Sequence, residues 1–200
     1  MHDDGAAERR HWNDRYSSKG HGEHGPSEFL VKYSRLLPRT GIALDIACGT
    51  GENALFLANY LDIVGVDISD VAIDIANQGV TSTKPRHQVS FVNADAREML
   101  ANEDVEKYDL VTCINFFEPA IIDDVKRVLK RSGTVIIQAY TTLDERMATS
   151  TRMQPLLVTD TTYFEPAMFG SYWIMVHEIE NFIDKAGLHR QRANMLARKP

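Results

Sequence analysis

The sequence has little cysteine, no long hydrophobic run and no surplus of basic residues. Its two cysteines, Cys48 and Cys113, form neither a CxxC pair nor a His/Cys metal spacing, so no disulfide framework and no metal site are predicted. The longest apolar runs are far shorter than the roughly 20 residues of a membrane-spanning helix. The formal net charge is −6, which argues against a general affinity for nucleic acid or for an anionic membrane.

The chain begins without the basic and apolar regions of a signal peptide, so we expect a cytoplasmic protein. Its 200 residues correspond to roughly one domain of about 100–200 residues. Apolar residues make up 44% and charged residues 25% of the sequence. These fractions are ordinary for a globular protein and exclude a disordered or collagen-like chain.

Residues 1–40 predict a helical lid and a loop. A helix is expected over residues 8–17, where Trp12 and Tyr16 lie four positions apart and therefore on one face. Residues 18–25 are rich in glycine and predict a loop. A second short helix, opened by a proline and closed by another, is expected after this loop.

Residues 41–200 predict an α/β domain. Short apolar runs suited to buried strands alternate with segments of helical periodicity. This alternation is typical of right-handed βαβ units. We therefore expect a single doubly wound, Rossmann-like domain, with a mostly parallel sheet of about six or seven strands and helices on both faces. The predicted strands are residues 42–47, 61–66, 89–93, 110–116 and 134–140.

The C-terminal third departs from this alternation. Residues 141–173 have no clean period but are rich in methionine and aromatic residues, and an irregular insert of this length is usually functional. Val176, Ile179 and Ile183 follow at helical spacing, which predicts one more helix. Residues 193–197 predict the last strand.

The most informative motif is the turn after the first predicted strand. That strand runs into Gly49-x-Gly51 and a helix follows at once, as in nucleotide-binding βα turns. A turn that needs glycine only for its backbone angles is one alternative, and a dinucleotide site is another. However, Asp45 lies near the end of this strand, four residues before Gly49, and its carboxylate would repel a pyrophosphate but attract an ammonium or a sulfonium. Asp45 therefore favours S-adenosylmethionine, which carries both cations and no phosphate.

Two further acids follow the next predicted strands. Asp67 lies eighteen residues after Gly49, the distance at which a βαβ unit brings a carboxylate to ribose hydroxyls. Asp95 follows the third strand, where a carboxylate could accept a hydrogen bond from an adenine amino group. Each acid alone is more often a helix cap, but the carboxyl ends of successive parallel strands converge on one crevice.

With these motifs, the chain resembles the class I S-adenosylmethionine-dependent methyltransferases over roughly residues 8 to 198. The resemblance rests on Asp45-x-Ala47-x-Gly49-x-Gly51, on Asp67 and Asp95, and on the segment Tyr108 to Asn115. Within that family, the segments around Trp12 to Tyr16 and Cys48 to Leu57 are similar to small-molecule members of the tellurite-resistance and thiopurine-methyltransferase type.

The resemblance implies a role for each matching residue. The methionine part of the cofactor would lie over the turn, the ribose and adenine at the next two strand ends, and the methyl group at the end of the fourth strand. A lid would cover the cofactor. The implied cofactor-binding residues are Asp45, Ala47, Gly49 and Gly51 at the turn, Asp67, Ile68, Asp95 and Ala96 beyond it, Asn115 at the methyl group, and Trp12 and Tyr16 in the lid.

These patterns predict a cytoplasmic methyltransferase that acts on a small-molecule acceptor and exists as a monomer or a homodimer. Asn115 would orient the acceptor, and Tyr172 or His177 would take a proton where one must leave. We expect a pocket with few fixed charges. Its predicted walls are Trp12, Tyr16, Phe116, Phe117 and the aromatic residues of segment 163–173.

Three alternatives remain open at the level of sequence. A nicotinamide enzyme is disfavoured by Asp45. A protein or RNA methyltransferase is disfavoured by the acidic charge, the size and the lack of a recognition domain. A non-catalytic regulator that binds S-adenosylmethionine has the same motifs as the enzyme, so a turnover assay is needed to distinguish the two.

Overall fold

The computed structural model describes residues 4–19, 25–144, 169–184 and 186–200. The elements follow the predicted alternation of strands and helices, with two short 3-10 turns at Ser34–Leu36 and Pro119–Ile121. The helices are α1 Asp4–Lys19, α2 Glu28–Lys32, α3 Glu52–Leu57, α4 Asp70–Thr83, α5 Ala96–Ala101 and α6 Ile122–Val128. The strands are β1 Ile42–Ile46, β2 Asp62–Asp67, β3 Val89–Asn93, β4 Tyr108–Ile114, β5 Leu129–Tyr140, β6 Trp173–Ile183 and β7 His189–Arg198.

The strands form a seven-stranded sheet in the order β3-β2-β1-β4-β5-β7-β6. Strands β1 to β5 are parallel, and β7 is antiparallel to both of its neighbours, β5 and β6. The predicted mostly parallel α/β sheet is therefore confirmed. The first five strands end at one common edge, which we call the carboxyl edge, and ligands of such folds bind outside it.

Both faces of the sheet are covered by helices, as expected. Leu100 of α5 belongs to a buried apolar layer on one face, which we call the α5/α6 face. Leu57 of α3 belongs to a second layer on the opposite, α2/α3 face. Within β5, Val135 and Ile137 join the first layer and Ile136 joins the second, because successive side chains of a strand point to opposite faces.

The prediction of a helix around Val176, Ile179 and Ile183 is wrong, because these residues lie in strand β6. Val176 packs with the α2/α3 layer and Ile179 with the α5/α6 layer, which is the alternation of a strand. Strand β6 pairs with β7 from Trp173 to Ile183. Since this pairing is made with a later part of the chain, local periodicity did not reveal it.

Another difference concerns the connections, since the short helix α5 was not predicted. Helix α4 extends through Gly79 and ends at Thr83. Of the expected insert, residues 145–168 lie outside the described part of the chain, and so do residues 20–24 of the glycine-rich loop. Among the described residues, no helix is long and apolar enough to cross a membrane.

Candidate functional site

The turn after β1 has the strained backbone of a ligand-binding loop. Ala47, Gly49 and Gly51 have positive φ angles of 53°, 53° and 86°, and a left-handed conformation costs a non-glycine residue roughly 1–2 kcal/mol. A Cβ atom on Gly51 would lie 2.8 Å from Cζ of Phe91. The turn therefore needs glycine at this position for space as well as for its backbone angle.

Asp45 is a buried carboxyl group with an unpaired oxygen. Only 1% of the residue is exposed, and its Oδ1 accepts a hydrogen bond of 2.6 Å from Oγ1 of Thr112. Its Oδ2 is buried without a hydrogen-bond partner among the described residues. Burial raises the pKa of Asp45 to about 7, and the charge of Asp67 adds to the effect. A cationic ligand would compensate a buried charge of this kind.

Asp67 holds the turn against the end of β2. Its Oδ2 accepts from the backbone N–H of Gly49 at 2.8 Å, and its Oδ1 accepts from the N–H of Ser69 at 2.9 Å. Burial raises the pKa of Asp67, and these backbone hydrogen bonds oppose that rise. Ile68 follows directly, so both residues lie at the carboxyl edge beside the turn.

Asp95, the third predicted acid, caps the N-terminus of α5, whose first residue is Ala96. Its carboxylate accepts from the side chain of Arg97, with a shortest distance of 2.8 Å. Burial disfavours the charged form of Asp95, but hydrogen bonds from Arg97 outweigh it and lower the pKa. Asn93, which the sequence reasoning missed, joins this end to β2 by donating to the carbonyl of Ile68 at 2.9 Å.

Helix α1 lies over the carboxyl edge, at the ends of β1 and β2. Asn13 donates to Asp70 and accepts from the hydroxyl of Ser69, both at 2.7 Å, which fixes α1 to the start of α4. A Cβ atom on Gly49 would lie 2.9 Å from the hydroxyl of Tyr16. The structure thus places Tyr16 against the turn, and the ring of Trp12 lies 6.1 Å from that of Tyr16 between centroids.

Asn115 directly follows β4 at the same edge. Its φ angle is 59°, and its backbone N–H donates to the carbonyl of Gln138 at 2.8 Å. A left-handed non-glycine residue at the end of a central strand is typical of a functional site. Its exposed side chain and that position are compatible with contact to an acceptor.

Tyr172 and His177 are not brought to this site. Tyr172 precedes Trp173, which is in register with Arg198 and through it with Thr134, close to the amino ends of the parallel strands. His177 lies on the outer strand β6, separated from β4 by β5 and β7. It pairs with a residue of the α5/α6 layer. The expectation of a proton acceptor at either residue therefore finds no support in their positions.

Among the described residues, not every member of the predicted aromatic wall lies at the carboxyl edge. Phe117 is buried in the α5/α6 layer, against which Phe116 packs. Trp173 is 66% exposed on the outer strand. Tyr163 and Phe164 lie outside the described residues.

Polar side chains, which sequence reasoning missed, lie beside Asn115 instead. The hydroxyl of Ser27 donates to Oε1 of Gln138 at 3.1 Å, and its N–H donates to the side chain of Asn53 at 2.8 Å. Nε2 of Gln138 donates to Oδ1 of Asn194 at 2.8 Å. A glutamine within the apolar run of β5 was the available signal. Among the described residues, no group of His, Cys, Asp and Glu side chains is arranged to hold a metal ion.

Comparison with known proteins agrees with this geometry. Residues 43–133 match a family model described as a methyltransferase domain. The Bacillus subtilis (strain 168) protein YqeM, which is named as a methyltransferase, is 29% identical over 126 residues, or 58% of this chain. A dTDP-4-amino-2,3,4,6-tetradeoxy-D-glucose N,N-dimethyltransferase of Saccharopolyspora spinosa is 31% identical over 97 residues, or 47% of this chain. The chain spans 50% of the first relative and 35% of the second.

Solved structures show the same fold. The crystal structure of TehB from Haemophilus influenzae superposes with a TM-score of 0.70 at 18% identity. The superposition covers 94% of this chain and 67% of that one. At this identity the likeness shows the fold alone.

Proposed function

We propose that this chain, which belongs to the class I S-adenosylmethionine-dependent methyltransferases, transfers a methyl group to a small-molecule acceptor in the cytoplasm. The observation that carries the proposal is the buried, unpaired Oδ2 of Asp45 beside the strained turn. A buried carboxylate without a partner is costly, and the ammonium group of the cofactor's methionine part would supply the missing partner. The residues present therefore fit the cofactor.

The side chains of this edge bind and orient rather than react. When bound, S-adenosylmethionine supplies a methyl group on a positively charged sulfur. Asp45 would bind the ammonium group, Asp67 the ribose hydroxyls and Asp95 the adenine amino group. Asn115 would hold the acceptor, and Tyr16 of α1 would cover the turn. Alignment and exclusion of water supply much of the rate in a displacement of this kind.

The small-molecule class of the acceptor is supported by two observations. One relative is named for methylation of an amino sugar nucleotide. The acidic net charge of −6 also disfavours a nucleic-acid substrate.

Calorimetry and a turnover panel test this proposal. We expect binding of S-adenosylmethionine and S-adenosylhomocysteine, and no binding of NAD. Release of S-adenosylhomocysteine is then measured with thiols, metalloid oxyanions, phenols, amines, amino sugars, a peptide and tRNA. Turnover of small molecules supports the proposal. Turnover confined to tRNA or peptide would overturn the small-molecule acceptor, and turnover of nothing in the panel would favour a non-catalytic regulator.

A further inference from the structure

The acceptor side of the carboxyl edge carries a hydrogen-bonded network that spans three strands. Its members come from the loop before α2, from β5, from β7 and from β6. Arg192 donates to Glu180 at 2.9 Å and to Gln138 at 3.5 Å, and Asn194 donates to Glu180 at 3.4 Å. We call this set the acceptor-side network: Ser27, Gln138, Glu180, Arg192 and Asn194.

The register of the sheet places this network next to the methyl-transfer position. Arg192 is paired with Tyr140 of β5 and with Glu180 of β6. Gln138 binds Asn115 through its carbonyl and Ser27 through its side chain. The network therefore runs from Gln138, which is bonded to Asn115 at the end of β4, to the outer strand β6.

The charges within the network compensate one another. The side chains of Arg192 and Glu180 are 14% and 26% exposed, so each reaches solvent. The neighbouring Arg190 is paired with Asp144 at 2.7 Å and with Asp184 at 3.3 Å. A carboxylate approaching Arg192 would meet Glu180, and an ammonium approaching Glu180 would meet Arg192. The surface therefore disfavours either kind of ion.

The network nevertheless offers hydrogen bonds. A guanidinium has five N–H donors, and Arg192 uses Nη2 on Glu180 and Nη1, at a long distance, on Gln138. The ring of Phe182 lies 4.6 Å from the guanidinium carbon, so it packs against this planar group. Donors of Arg192 and acceptor oxygens of Glu180 thus lie side by side.

We propose that the Arg192–Glu180 pair determines acceptor specificity by binding an uncharged group that both donates and accepts hydrogen bonds, such as a hydroxyl or an amide, close to the methylated atom. This proposal rests on the small-molecule methyltransferase function. To the aromatic pocket expected from the sequence, this pair adds a polar wall whose charges cancel. An adjacent donor and acceptor recognise groups that both give and accept hydrogen bonds, because each unpaired partner would be costly.

The test uses matched fragments on protein saturated with S-adenosylhomocysteine, observed by NMR titration. One set is benzamide, benzoate, benzylammonium and toluene, and the second is cis-1,2-cyclohexanediol, cyclohexanecarboxylate and cyclohexylammonium. The variants are Arg192→Met, Arg192→Lys and Glu180→Gln. Arg198→Met is the control. Arg198 lies on the same strand but pairs with Trp173 near the opposite edge. Its Nε, like that of Arg192, is buried without a partner among the described residues.

We expect benzamide to bind more tightly than benzoate, benzylammonium and toluene, and the diol to bind more tightly than the two charged cyclohexane fragments. Arg192→Met should weaken their binding at least about tenfold, Arg192→Lys and Glu180→Gln should weaken it less, and Arg198→Met should leave it unchanged. Tighter binding of a charged fragment, absence of binding by both neutral fragments, or an equal loss in Arg198→Met would overturn the proposal.

The outcome is separable from that of the proposed function. Cofactor binding is measured by calorimetry on the same samples, and the turnover panel decides between small and macromolecular acceptors. If tRNA alone is methylated, the small-molecule function fails. If small molecules are methylated but neutral fragments do not need Arg192, only the specificity proposal fails.

Discussion

The two halves of the carboxyl edge are built in different ways. The cofactor half, at the ends of β1, β2 and β3, consists of a strained turn and of carboxylates, among which Asp67 is bonded to the backbone N–H groups of Gly49 and Ser69. Gly49 and Asp67, which meet there, are 18 positions apart in the chain. The acceptor half, at the ends of β5, β7 and β6, consists of side chains bonded to side chains. Ser27 and Gln138, which meet there, are 111 positions apart.

This difference shows why one half is readable and the other is not. A turn that needs positive φ angles restricts its own residues, so its glycines and acids leave a local motif. A side-chain network restricts only the pairing of distant positions, so many residue combinations could serve. The cofactor half fits a ligand shared by a family, while the acceptor half is free to differ with the substrate. The following variants test this contrast.

The largest expected effect comes from Asp67→Ala. Loss of this carboxylate removes hydrogen bonds to a charged group, worth about 1.5–3 kcal/mol or roughly 10- to 150-fold in cofactor affinity. It also leaves the N–H groups of Gly49 and Ser69 unpaired, so thermal stability should fall. Calorimetry with S-adenosylhomocysteine measures the first effect. Asp62→Ala, at the other end of the same strand, is the control and should leave affinity unchanged.

Unchanged cofactor affinity in folded Asp67→Ala would contradict the assignment of the cofactor half. A comparable loss in the Asp62 variant would show that the effect belongs to β2 as a whole rather than to its carboxyl end.

Asp45→Asn should change affinity and stability in opposite directions. Burial raises the pKa of Asp45 from 3.8 to about 7, so the cofactor-free fold prefers the neutral carboxyl group. The stabilisation from this raised pKa is fully present below pH 4 and is lost as the pH rises through about 7. Above that pH the variant should be more stable than the natural protein, yet bind cofactor at least about tenfold more weakly.

Thermal unfolding without cofactor, measured between pH 5 and about 8, checks the sign. The melting temperature of the natural protein should fall relative to that of Asp45→Asn as the pH rises. Cofactor affinity should rise over the same interval in the natural protein only, since binding needs the ionised carboxylate. A variant less stable than the natural protein at every pH would show that the buried charge is already compensated.

In the acceptor half, Gln138→Leu should lower stability and leave cofactor affinity almost unchanged. This substitution removes the hydrogen bonds of Gln138 to Oδ1 of Asn194 and to the hydroxyl of Ser27, which costs about 1–3 kcal/mol of stability. Cofactor affinity should change less than about threefold, because the cofactor half does not use this side chain. Chemical denaturation and calorimetry measure both, with Gln78→Leu on the exposed side of α4 as control. A loss of affinity as large as that of Asp67→Ala would remove the distinction between the halves.

The sequence predicted the fold class and the edge of the sheet at which Asp45, Asp67 and Asn115 lie. It could do so because strands, turns and their order leave local signals. Their individual roles in binding stay predictions. The same reasoning failed for β6, where Val176 and Ile179 mimic helical spacing and only pairing with β7 selects a strand. The acceptor residues expected in that segment were misplaced for the same reason, since side-chain position there follows from long-range register.

The smallest expected effect concerns the lid. Asn13→Ala removes two hydrogen bonds of 2.7 Å that fix α1 to Ser69 and Asp70, and each is worth about 0.5–1.5 kcal/mol. Since α1 lies at the periphery, its amide exchange should become about tenfold faster while that of the strands stays the same. Asp14→Ala, an exposed position of the same helix, controls for helix propensity. If saturating S-adenosylhomocysteine slows exchange in α1 of the natural protein but not of Asn13→Ala, the docking of α1 belongs to the cofactor half. Equal exchange in both proteins, with and without the ligand, would separate α1 from that half.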